Sequence, residues 1–77
     1  MSKTIDFPDL DAAIDAEAWQ WLQEAAPVYA DAVALEVKRG HAPGDIRQRF
    51  MRLTQRPALA LRLEQAARHL RRQRQEA

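Results

Sequence analysis

Besides its carboxylates and two lysines, the chain has two histidines, three serine or threonine hydroxyls and one tyrosine that could serve as base, nucleophile or metal ligand. His41 follows Gly40 in a loop-like stretch and His69 sits on the outward side of a helical one. No Asp or Glu is spaced to complete a His–carboxylate metal site with either, so both read as surface residues. Ser2, Thr4 and Thr54 lack the glycine-rich elbow and neighbouring base that would activate a hydroxyl. The two glycines, Gly40 and Gly44, are too few and misplaced for a phosphate-cradling loop. With no cysteine there is neither a thiolate site nor a disulfide. The expectation is a chain with no catalytic, cofactor-binding or metal-binding residues, and so not an enzyme.

Charge is the stronger signal. Twelve Lys and Arg against eleven Asp and Glu leave a formal net charge of +1. Residues 1–36 carry Lys3 against Asp6, Asp9, Asp11, Asp15, Glu17, Glu24, Asp31 and Glu36, a balance of −7. Residues 37–77 carry Lys38 and ten arginines against Asp45, Glu64 and Glu76, a balance of +8. Arginine at this density can grip phosphates, with Arg47, Arg49, Arg52, Arg62, Arg68 and Arg72 as the candidate nucleic-acid contacts. Against that use, the whole domain has no positive excess, and no aromatic residue lies among the arginines after Phe50 to stack on a base. A helix-turn-helix drawn across "LTQRPAL" would place the apolar turn "PALA" where base-reading polar side chains belong. A basic face that is solvated, or neutralised by the acidic first half, accounts for the same residues.

Apolar residues that stand off the buried stripes point to a protein partner. In "AEAWQWLQEAAPVYA" the two indoles would project about 200° apart on a helix, so both cannot occupy the middle of one stripe. Trp21 shares a face with Ile14, Ala18, Leu22 and Ala25 and is expected to anchor the core, which leaves Trp19 at the margin. Leu61 lies about 160° from Leu63, on the side of Arg68 and Arg72, and Met51 about 100° from Phe50. Trp, Met and Arg are enriched at interface cores, which makes Trp19, Met51, Leu61, Arg62, Arg68 and Arg72 the candidate partner-binding set.

The elements that must position these residues are all helical. Ala, Leu, Arg, Gln and Glu dominate and no stretch alternates with period two for long enough to form a strand. Residues 1–12 read as an extended N-terminal arm, with Asp15 as the N-cap of a first helix and Glu17 in its first turn. Pro27 either starts a second helix or kinks a longer one. From Val28 to Arg39 apolar positions take up more than half the circumference, as expected of a central helix, and Gly40 supplies a left-handed stop. A third helix has Pro43 and Asp45 in its first turn, and Ile46, Phe50 and Leu53 as its stripe. A fourth opens at Pro57, capped from Thr54 or Arg56, and buries Leu59, Leu63, Ala66, Ala67 and Leu70. Asp45 with Arg49 and Glu64 with Arg68 have the favourable acid-before-base i, i+4 order. Residues 71–77 contain no large apolar side chain and are expected to fray.

These readings describe one small all-α domain over residues 1–77, a compact bundle of four or five short helices. A chain this short buries only about 60% of its unfolded surface, so close helix packing or a partner must supplement its core. No apolar run approaches the roughly 20 residues of a membrane span, and the N-terminus has no signal-peptide pattern, so a cytoplasmic location without membrane contact is expected. The expected function is a non-enzymatic interaction or assembly module that binds another protein or a further copy of itself through opposed acidic and basic surfaces. A nucleic-acid-binding or transcription-regulatory domain is the first alternative, and a regulatory subunit of a larger enzyme complex is the second.

Overall fold

The computed structural model describes residues 7–76, which form four helices and, within that range, no strand: α1 (Phe7–Ala25), α2 (Pro27–Lys38), α3 (Pro43–Thr54) and α4 (Pro57–Glu76). Each helix begins at a proline or one residue before it. Proline is at home there because a first-turn N–H has no intrahelical acceptor to lose. Pro8 therefore marks a fourth helix start, and residues 7–12 of the expected extended arm are the first turns of α1; residues 1–6 lie outside the described residues. Asp15 is correspondingly no N-cap. It stands in the middle of α1 and is 1% exposed.

Pro27 breaks the helix rather than kinking it. Ala26 is the whole linker: its N–H closes α1 on the Leu22 carbonyl at 2.8 Å, and its own carbonyl receives the Ala30 N–H at 3.0 Å to start α2. The far end of α2 is a Schellman cap. Gly40 takes φ +89°, its N–H bonds to the Val37 carbonyl at 3.0 Å, and the His41 N–H bonds to the Glu36 carbonyl at 3.1 Å. At the end of α3 the left-handed position is filled by Gln55, φ 55°, whose N–H reaches the Met51 carbonyl at 2.9 Å. The Thr54 hydroxyl donates to the Phe50 carbonyl at 2.8 Å and accepts the Arg56 N–H at 3.2 Å, which links α3 to α4 through one side chain.

Both α2 and α4 touch every other helix, but α4 holds the more extensive packing, against α1 and α3, which have no contact with each other among the described residues; α4 rather than α2 is therefore the central helix. The physical reason is side-chain size: Ala60, Ala66 and Ala67 are buried beside Leu63, and small residues let neighbouring helices approach. Around them pack Leu22, Ala30, Val33, Val37, Ile46 and Phe50, with Trp19, Tyr29, Leu59 and Leu70 closing the edges. Tyr29 meets Phe50 edge to face with ring centroids 6.2 Å apart. Leu53 departs from the expected stripe and is 70% exposed, because the buried line of α3 runs through Ile46 and Phe50 to the half-buried Thr54, and Leu53 lies about 60° to one side of it. The basic stretch expected to fray instead continues α4 to Glu76.

Candidate functional site

The tryptophans exchange the roles expected of them. Trp19 is half-buried against the core cluster, while Trp21 is 37% exposed and faces α4. The core direction of α1 runs through Asp15, Ala18, Trp19 and Leu22, and Trp21 stands about 100° from Leu22. Over its ring lies the Arg62 guanidinium, 4.2 Å from the centroid. The stack joins two helices through a cation over an aromatic face, and it fixes both side chains at the surface.

Trp21 belongs to an outward stripe on α1 with Leu10 and Ile14, all three exposed. Beside this stripe α4 contributes Leu61, also exposed, and Arg62. A depression of about 350 Å³ between the helices is lined by Ile14, Glu17, Ala18, Ala58, Leu61, Arg62 and Gln65. A second, of about 510 Å³, is lined by Trp21, Arg62, Ala58, Leu59 and the start of α4 at Gln55, Arg56 and Pro57. Arg62 and Ala58 wall both. The result is one continuous, mostly apolar face along the α1–α4 seam with Arg62 at its middle.

Deeper in the same seam the charges are paired. Asp15 accepts from Arg68 Nε at 3.3 Å and Arg68 Nη2 at 3.4 Å, and from Arg72 Nη2 at 3.3 Å. Arg68 Nη1 also bonds Glu64 at 3.1 Å, and Glu64 takes Arg47 of α3 at 3.2 Å. This chain of carboxylates and guanidiniums ties α1, α4 and α3 together. Between α2 and α3, Glu36, 6% exposed, pairs with Arg49 at 3.3 Å and with the His41 ring. Arg49 thus bonds Glu36 across the α2–α3 loop rather than Asp45 on its own helix. His41 likewise has a carboxylate partner that its spacing in sequence did not announce. Among the described residues every buried side-chain nitrogen and oxygen is hydrogen-bonded.

Of the residues read from sequence as partner-binding, Leu61 and Arg62 come together on the α1–α4 face. Arg68 and Arg72 border it but hold Asp15. Trp19 lies in the packing, and Met51, exposed on α3, lines neither depression beside Leu61. Leu10, Ile14 and Trp21 were missed as surface residues. Their i, i+4, i+11 spacing was visible, but it reads equally as a core stripe until the direction of burial is known. Of the six arginines read as nucleic-acid contacts, Arg47, Arg49, Arg68 and Arg72 are ion-paired within the chain and Arg62 stacks on Trp21.

Among the described residues no three His, Asp or Glu side chains gather as a metal site, and no helix is long and apolar enough to cross a membrane. Comparison with family models, with curated proteins and with solved structures finds no match.

Proposed function

We propose that this chain is a non-enzymatic protein–protein interaction module, a small helical bundle that docks a protein partner on the α1–α4 face. The observation that carries the reading is the Arg62 guanidinium held over the exposed Trp21 ring between two adjoining apolar depressions. Tryptophan and arginine are the side chains most often found where truncation costs an interface most. Here both are already immobilised by stacking on each other, so a partner orders little on binding. Leu10, Ile14 and Leu61 extend the apolar contact on either side.

The test is retention of protein from a nuclease-treated native lysate of the source cells by the immobilised chain and by its Leu61→Arg variant. The expected result is a protein, identified by mass spectrometry, that the original chain retains and the variant does not. Circular dichroism should show the same helicity for both. Equal retention by the two chains, or retention abolished by the nuclease, would overturn the reading.

A further inference from the structure

We infer that the depression between the end of α2 and the last turns of α4 binds an oligophosphate, a compact anion of two or three linked phosphate groups. Its volume is about 320 Å³, and its walls include Lys38 and His41 at the end of α2 and Arg71, Arg74 and Gln75 of α4. No residue of the α1–α4 face lines it, since along α4 Arg71 and Arg74 lie about 14 and 18 Å beyond Arg62. The two helices build it by ending differently. α2 stops at Lys38 before the Gly40 cap, whereas α4 continues to Glu76. On α4 the line that buries Ala67 runs on through Arg71 and Arg74, about 40° and 20° to either side of it. Beyond the end of α2, that packing line carries guanidiniums in place of apolar side chains.

Three permanent positive charges thus border one depression, and no Asp or Glu lines it. Lys38, Arg71 and Arg74 are exposed, and among the described residues none of them forms an ion pair. Glu36, which bonds the His41 ring, is buried and paired with Arg49, so its charge is already matched. Helix ends favour cations and account for Lys38 and Arg74 singly. They do not account for Arg71, which stands before the last turn, or for three like charges at one depression, whose repulsion a bound anion relieves.

Phosphate is the anion these side chains suit. A guanidinium presents paired N–H donors that match two phosphate oxygens, and a lysine adds a point charge on a flexible stem. One phosphate monoester carries about −1.5 to −2 charges, so linked phosphates are needed to match three cations. The cations surround a single depression rather than follow a groove, which suits a compact anion better than a nucleic-acid backbone. No Trp, Tyr or Phe lines it to stack on a base, so the phosphates alone are read, whether free or carried by a nucleotide.

Isothermal titration calorimetry of the full chain with tripolyphosphate, in metal-free buffer at about 0.1 M salt, tests the site. One tripolyphosphate should bind per chain, with a submillimolar dissociation constant. Lys38→Gln, Arg71→Gln and Arg74→Gln should each weaken binding about five- to tenfold. Arg52→Gln and Arg56→Gln remove unpaired cations elsewhere and should change it less than about twofold. Circular dichroism should show the original helicity for all five variants. ATP should bind within about threefold of tripolyphosphate, because its base finds no stacking partner.

Absence of saturable heat, or binding indifferent to the three substitutions at the depression, would overturn the inference. Weakening by Arg52→Gln or Arg56→Gln as large as that by Arg71→Gln would also overturn it, by showing diffuse attraction in place of a site. ATP that binds more tightly than the stated range would place a base-reading surface there and overturn recognition of phosphates alone. An oligonucleotide or an oligoglutamate that displaces tripolyphosphate at lower concentration would assign the depression to nucleic acid or to an acidic peptide instead.

Discussion

Asp15 of α1 and Arg68 of α4, 53 positions apart, meet side-on, with the two carboxylate oxygens accepting from Nε and Nη2 at 3.3 and 3.4 Å. This contact shows what becomes of the charge split along the chain. The acidic first half and basic second half fold onto each other, and the two buried carboxylates, Asp15 and Glu36, both take arginines from the second half. Of the first-half carboxylates, these two are neutralised inside one copy, while among the described residues Asp11, Glu17, Glu24 and Asp31 on the acidic side and Arg52, Arg56, Arg62, Arg71 and Arg74 on the basic side form no ion pair.

Loss of Arg68 should destabilise the fold far more than loss of Arg47. Arg68→Met leaves a carboxylate that is 1% exposed with Arg72 alone, a cost of about 2 kcal/mol. Arg47→Met removes a pair whose cation is half-exposed, worth under about 1 kcal/mol. Urea unfolding followed by circular dichroism reads both, and equal midpoints would contradict the network as described.

The two tryptophans should separate in the same measurement. Trp19→Ala empties a partly buried site against the core and should cost about 2 to 3 kcal/mol, below the range for fully buried aromatics. Trp21→Ala removes a surface stack and should cost about 1 kcal/mol or less. With each indole alone, acrylamide should quench Trp21 emission more strongly than Trp19 emission.

Helix type, helix number and most boundaries were legible because proline and glycine act locally: Pro27, Pro43 and Pro57 start helices and Gly40 ends one whatever the tertiary packing. Pro8 carried the same signal but lay among aspartates, which favour an arm. The candidate site was half legible. Leu61 and Arg62 stood out because Leu63 and the alanines define which side of α4 is buried. The face of α1 was misassigned because burial there follows Asp15, and a lone acid in sequence gives no sign of the arginines that arrive 53 and 57 positions later. Once Asp15 is read as a cap, the stripe shifts and Trp21 is counted as core. The central role of α4 was hidden for a related reason, since its alanines look unremarkable beside the richer apolar content of α2.

Two loop positions should respond in opposite directions to exchange of side chain. Gln55 has φ 55°, a conformation that costs a residue with a Cβ roughly 1 kcal/mol, so Gln55→Gly should stabilise the fold by up to about that amount. Gly40 has φ +89° and open space around the position of a Cβ. Gly40→Ala should therefore destabilise through backbone strain alone, by about 1 to 2 kcal/mol. Thermal melts of the two variants should move to either side of the original chain.

The partner of Arg49 can be established by double-mutant cycles. Asp45 stands four residues before Arg49 on α3, the spacing that stabilises isolated helices, yet Arg49 reaches Glu36 at 3.3 Å. Glu36 is the better acceptor because it is nearly buried and already fixed by the His41 ring, so Arg49 gives up less side-chain freedom and meets less screening there. Glu36→Gln combined with Arg49→Gln should show a coupling of about 0.5 to 1 kcal/mol. Asp45→Asn combined with Arg49→Gln should show a coupling near zero, and Asp45→Asn alone should cost only the few tenths of a kcal/mol that a carboxylate contributes at a helix N-terminus. A larger coupling to Asp45 than to Glu36 would mean that α3 holds its own arginine and that the α2–α3 tie is absent.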